Sequence, residues 1–273
     1  MTVETQPHLR PRSWRTAGGS ARRTADPWDV PVLDSTEGGL AVRLAGFLQR
    51  LHPVAVFAVV MLSGLAVLSA LSIGLGALVT HVVEPAWGIG AADERVNTWL
   101  AAHRSSSRTE ASLIGSMIAG GVVLPIVAAA IAVVCAALRK WRIAAFVVFA
   151  LAVESAAYRA TTLAVHTHRP RVARLENLPV NASYPSGHTA ASVAIYGGVV
   201  LLLTSRFTNG VFRKLAWSFA LLLVAFVATS RMYRGMHHPL DVAGGLFVGV
   251  GALIVVVLAC RAAHAAQQSR VAR

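Results

Sequence analysis

Long apolar stretches of the chain carry no formal charge, among them one between Arg50 and Glu84, one between Glu110 and Arg139, and one between Asp241 and Arg261. A soluble core scatters its apolar residues along the faces of its elements, whereas a bilayer demands uninterrupted runs of about 20. Three such runs exclude an ordinary soluble domain. Composition agrees: 55% of the 273 residues are apolar and 14% charged, where about a quarter charged is usual for soluble domains.

The net charge of +13 invites a nucleic-acid interpretation, but the basic residues flank the apolar runs instead of forming a stripe. Six spans are predicted, at about Val54 to Thr80, Ser112 to Ala137, Ala144 to Leu163, Thr189 to Thr204, Leu215 to Ser230 and Val242 to Cys260. Six spans put both termini on one side. The loops on that side hold Arg139, Lys140, Arg142, Arg206, Arg213, Lys214, Arg261, Arg270 and Arg273 with no acidic residue among them, which makes it the cytoplasmic side. Glu84, Asp93, Glu94, Glu110, Glu176 and Asp241 fall in the opposite, outward segments. Membrane orientation thus accounts for much of the charge, and nucleic acid is not an expected partner.

The fold class expected is an all-α membrane protein, a six-transmembrane helix bundle with its site at the outer face. Residues 1–36, rich in Pro, Gly, Ser, Thr and Arg, read as a disordered cytoplasmic tail. Residues 37–52 read as an interfacial amphipathic helix carrying Leu40, Leu44, Phe47, Leu48 and Leu51 at helical spacing. The six-span domain then covers 53–260, and 261–273 is a second cytoplasmic tail. No apolar stretch with a cleavage site is seen in the first fifty residues, so the first span is expected to act as its own signal anchor. Arg22-Arg23 lacks the apolar segment of a twin-arginine signal. Cys135 and Cys260 lie inside apolar runs, as packing residues do.

Chemistry concentrates in three outward segments. Pro185-Ser186-Gly187-His188 opens the fourth span, where free backbone N–H groups and the helix dipole favour an anion. There Gly187 lets the backbone approach closely, Ser186 donates a hydrogen bond and His188 is placed for proton transfer. The same four residues also fit an ordinary helix cap with an interfacial histidine. His237 and Asp241 stand four apart across the start of the sixth span. A carboxylate there can hold an imidazole N–H and leave the other nitrogen bare as nucleophile or base. A capping Asp beside two surface histidines fits as well. Zinc fits poorly, since His237 and His238 point apart and no third ligand has suitable spacing, so neither metal nor cofactor is expected. Arg169 and Arg231 sit at span ends, where a guanidinium either anchors to headgroups or clamps phosphate.

Together these residues resemble the type 2 phosphatidic acid phosphatase superfamily. Its second motif is complete in Pro185, Ser186, Gly187 and His188, and its third in Ser230, Arg231, His237 and Asp241. Its first is partial: Arg169 and Pro170 match, but Thr162 stands where the family has Lys. The resemblance implies a metal-independent phosphatase in which His237 attacks phosphorus, Asp241 orients it, and His188 protonates the leaving oxygen. Arg169, Arg231, Ser186 and Gly187 would hold the phosphate. The expected function is a membrane enzyme hydrolysing a lipid phosphate or diphosphate, such as phosphatidate, phosphatidylglycerophosphate or a polyprenyl diphosphate. A lipid-linked phosphotransferase and a non-catalytic lipid-phosphate binder are the alternatives. Expected partners are the lipid phosphate substrate and membrane lipids. Arg159, one turn before Thr162 on roughly the same face, is the candidate to replace the missing Lys. Glu154, the one acidic residue inside a span, is expected to find a partner elsewhere in the bundle.

Overall fold

The computed structural model describes residues 30–86, 88–177 and 179–271. Nine helices cover most of them: α1 (Leu40–Phe47), α2 (Pro53–Ala86), α3 (Ile89–Ala102), α4 (Ser106–Ile118), α5 (Val123–Ala137), α6 (Trp141–Ala164), α7 (Gly187–Thr204), α8 (Gly210–Tyr233) and α9 (Pro239–Val271). No strand forms among the described residues; a single bridge joins Thr167 to Ala182. The fold is all-α, with α2, α6, α7, α8 and α9 each long and apolar enough to cross a membrane.

Local chemistry sets the ends of these helices. α2 starts at Pro53, whose fixed φ suits a first helical position, and His52 Nδ1 accepts from Val54 N at 3.3 Å. Asn209 caps α8 by accepting from Val211 N at 2.9 Å and Phe212 N at 3.1 Å. α9 again opens on a proline, Pro239. The predicted second span is two helices, α4 and α5, bent by 43°. The bend falls at Gly120-Gly121, where backbone freedom makes a continuous helix costly. Counting that pair as one span gives the expected six.

The central helices are α7 and α9, with 56% and 50% of their most apolar stretches buried, against 17% for α2. Phe146, Val147, Val193, Ile195, Val248 and Val256 fill the core between them and α6. Large apolar residues such as Leu62, Ile126, Val133, Phe219, Leu222 and Ile254 point outward, each more than half exposed. Such a belt is costly in water and favourable in lipid.

Two boundary expectations change, and so does one buried face. Residues 1–29 of the predicted tail lie outside the described residues, but residues 30–36 are packed. Val30 and Leu33 join the core, Val32 O accepts from Arg261 Nε at 2.8 Å, and Asp34 pairs with Arg142 at 2.8 Å. Burial of two apolar side chains and capture of the strap's carbonyls outweigh the Pro and Ser content of the stretch. The predicted second tail is helical as far as Val271 because Ala262, Ala265 and Ala266 pack on Ala41 and Ala45 of α1. The buried face of α1 is therefore this alanine stripe, while Leu40 (61%) and Phe47 (88%) are open.

Candidate active site

His237 lies in the turn between α8 and α9. α8 ends because Gly235 adopts φ +70°, in the left-handed region, and Met236 N donates back to Arg231 O at 3.0 Å. That reversal carries His237 inward, where its side chain is 4% exposed. Its Nδ1 is 2.8 Å from the carbonyl oxygen of Ser183. A carbonyl only accepts, so Nδ1 carries the proton and Nε2 is left with its lone pair. Burial pushes the His237 imidazole below its ordinary range, with Asp241 acting in the opposite direction.

Asp241 occupies the first turn of α9. Its Oδ2 accepts from Ser183 Oγ at 2.6 Å and from His238 N at 2.7 Å, and lies 3.7 Å from His237 Nδ1. The expected direct grip of Asp241 on the His237 N–H is thus replaced by the Ser183 carbonyl, because two nearer donors already occupy Oδ2. Asp241 acts on the imidazole through its charge and through Ser183, which it fixes.

The Pro185-Ser186-Gly187-His188 motif is held against α9 by its backbone, since Ser186 N donates to Asp241 O at 2.8 Å. Two glycines of α9 make room. A Cβ on Gly245 would stand 2.5 Å from Ser186 O, and one on Gly244 would stand 2.4 Å from the Tyr184 ring. The Ser186 hydroxyl turns to Thr189 Oγ1 at 2.9 Å and does not cap α7. The first-turn N–H groups therefore lack a side-chain acceptor, an arrangement that suits an anion. His188, the second residue of α7, feels Arg231, His237, Glu176 and Arg169 electrostatically.

The two arginines differ. Every nitrogen of Arg169 already donates to a carbonyl: Nε to Pro179 at 2.8 Å, Nη2 to Ala182 at 2.9 Å and Nη1 to Met236. It ties the α6–α7 segment to the His237 turn. Arg231 is 0% exposed; its Nη1 is taken by Glu176 and Ser116, while Nε and Nη2 are buried without a partner among the described residues. The expected auxiliary pair does not join the site. Arg159 is on the exposed surface of α6 with no hydrogen bond or ion pair to a described residue, and Thr162 Oγ1 donates back to Tyr158 O at 2.9 Å. Glu154 is buried and accepts from Ser155 Oγ of its own helix at 3.0 Å, in place of the expected partner on another helix.

Other contributors carry no motif. Ser183 stands two residues before the second motif. Asn97 of α3, fully buried, donates through Nδ2 to His237 O at 3.0 Å and Met232 O at 3.1 Å. Asp93 accepts from Leu240 N at 3.3 Å, and burial raises its carboxyl to about 6. Burial alone would lower His238, but the Asp241 and Glu94 carboxylates outweigh it and raise the imidazole to about 9. Beside Asp241 a cavity of about 950 Å³ is bounded by Glu84, Asp93, Glu94, His168, Arg171 and His238. No group of three His, Cys, Asp or Glu among the described residues is arranged to hold a metal ion.

Residues 143–264 match the sequence profile of the PAP2 superfamily. A 75-residue stretch is 41% identical to an undecaprenyl-diphosphatase of Sulfolobus acidocaldarius, covering 28% of this chain and 32% of that relative. The chain thus spans about a third of the curated relative that it matches. The crystal structure of a transmembrane PAP2-type phosphatidylglycerolphosphate phosphatase from Bacillus subtilis superimposes with a TM-score of 0.58, over 75% of this chain and 93% of the other, at 19% identity. Two complete motifs folded into one site, a profile match over residues 143–264 and a bundle of similar fold make the chain similar to the PAP2 superfamily.

Proposed function

We propose that this protein is an integral membrane hydrolase of lipid phosphates or diphosphates that works through a phosphohistidine. The carrying observation is a buried His237 whose Nε2 is bare, together with a buried Arg231 whose Nε and Nη2 have no partner among the described residues. In the first step His237 Nε2 bonds to phosphorus as the phosphorus–oxygen bond to the lipid breaks, and His188 gives its proton to the departing oxygen. In the second, water attacks phosphorus, His188 takes the water proton, and the nitrogen–phosphorus bond breaks to release inorganic phosphate. Asp241 balances the positive charge on the phosphorylated imidazole. Arg231, the Gly187 backbone and the first turn of α7 hold the phosphate oxygens. The apolar flanks of the bundle accommodate the lipid tail, and the basic loops orient the site outward with both termini in the cytoplasm. The activities named for the two relatives, on undecaprenyl diphosphate and phosphatidylglycerolphosphate, support this substrate class.

Purified protein is tested for phosphate release from phosphatidate, phosphatidylglycerophosphate and a polyprenyl diphosphate, with and without chelator. Release that survives chelator, is inhibited by vanadate and disappears in His237→Ala is expected. Full activity in His237→Ala, or activity that dies in chelator and returns with added divalent metal, would contradict the mechanism.

A further inference from the structure

Glu176 lies between α6 and α7 and reaches the end of α8. Both of its carboxylate oxygens accept from the same nitrogen, Arg231 Nη1, each at 2.8 Å. Oε1 also accepts from Arg234 Nε at 2.5 Å and from Ser116 Oγ at 2.8 Å, and Ser116 Oγ in turn accepts from Arg231 Nη1. Arg234 is itself fixed, donating to Ser112 Oγ at 3.2 Å and Leu175 O at 3.2 Å.

Arginine–carboxylate pairs are frequently two-pronged, with each oxygen on a different nitrogen. Glu176 instead crowds one corner of the guanidinium and leaves the Nε–Nη2 edge alone. That edge is buried and has no acceptor among the described residues, an arrangement that costs free energy until something supplies acceptors. Its two parallel N–H bonds match two oxygens of a phosphate.

We propose that Glu176 is a positioning residue: by holding the Nη1 corner it turns the Nε–Nη2 edge of Arg231 toward the incoming phosphate. The inference rests on the phosphatase reading of the site. Burial alone would raise the Glu176 carboxyl, but Arg231 and its other donors hold it at about 2, so the grip persists at any pH at which a lipid phosphatase works. The competing account is electrostatic. A carboxylate that merely neutralises Arg231 would oppose a phosphate, and its removal would tighten anion binding; a carboxylate that aims Arg231 would, on removal, weaken it.

Orthovanadate, a mimic of phosphate in its transition-state geometry, is titrated by calorimetry onto the purified full chain and onto Arg231→Lys, Glu176→Gln and Ser116→Ala. Vanadate affinity unchanged in Arg231→Lys would overturn the phosphate site itself. Given a loss there, Glu176→Gln is expected to weaken vanadate by about tenfold, equivalent to about 1.4 kcal/mol. Combining it with Arg231→Lys should add little, because both remove one interaction. Unchanged or tighter binding in Glu176→Gln overturns the positioning role. Should that variant fail to fold with Arg231 left unpaired, Ser116→Ala decides. It loosens the same corner without changing charge, so weaker binding is expected and unchanged affinity overturns the inference.

Discussion

A backbone carbonyl fixes the imidazole of His237, and this divides the work of neighbours that a motif would lump together. Ser183 sets the tautomer; Asp241 supplies charge and holds Ser183. Because burial lowers the His237 pKa, the neutral form, the nucleophile of the proposed mechanism, persists below the ordinary imidazole value of about 6.5. The acid limb of kcat/KM should therefore fall at lower pH than a free imidazole would give, as read from a pH–rate profile on a soluble short-chain substrate. His188→Ala should slow turnover at least about a hundredfold, the usual loss when acid–base help is removed; phosphoenzyme trapping would separate its two steps. His238 gives a prediction of opposite sign. Its raised pKa means that it contributes stability fully below about 6.5, and that this contribution is lost as pH rises through about 9. Melting curves between pH 6 and 10 should show that decline, and His238→Gln should flatten it.

At the scale of elements, α9 and the turn into α7 approach so closely that one methyl group matters. A Cβ at Gly245 meets backbone, Ser186 O, at 2.5 Å, and cannot be relieved by rotating a side chain. Gly245→Ala should cost about 1–3 kcal/mol, as overpacking does, and should depress kcat because the strain falls on the motif that carries His188. Denaturant unfolding alongside kinetics checks both. Elements were legible where the signal is a run or a period. The charge-free runs located the spans, and Pro185-Ser186-Gly187-His188 together with His237 and Asp241 marked the segments that meet. What escaped shows why. Ser183 acts through a carbonyl that every residue possesses, and Asn97 holds backbone oxygens with an amide that no spacing rule singles out. Glu176 is one acidic loop residue among several until the fold sets it against Arg231. Arg159 had the right helical spacing from Thr162, but it lies on the exposed surface of α6.

Over the whole molecule, the basic loops gather at the end of the bundle opposite the site, where Arg142 and Arg261 meet the strap of residues 30–36. The orientation proposed from them predicts that a tag at the C-terminus or near Asn209 is reached from the cytoplasm only, and a cysteine near Ala182 from outside only. Labelling of both from one side would refute it. The strap also has a mechanical meaning. Its residues grip Arg261, and Arg261 belongs to the same uninterrupted helix as Asp241. At 1.5 Å per residue, that helix is a rod about 50 Å long. Tension or slack applied at the N-terminal segment would thus pass along a single stiff member toward the carboxylate that fixes Ser183. A chain shortened to begin at residue 39 leaves the slots of Val30 and Leu33 empty and releases that rod at its far end. It should melt at lower temperature and hydrolyse substrate more slowly, although no residue within reach of phosphate has been altered.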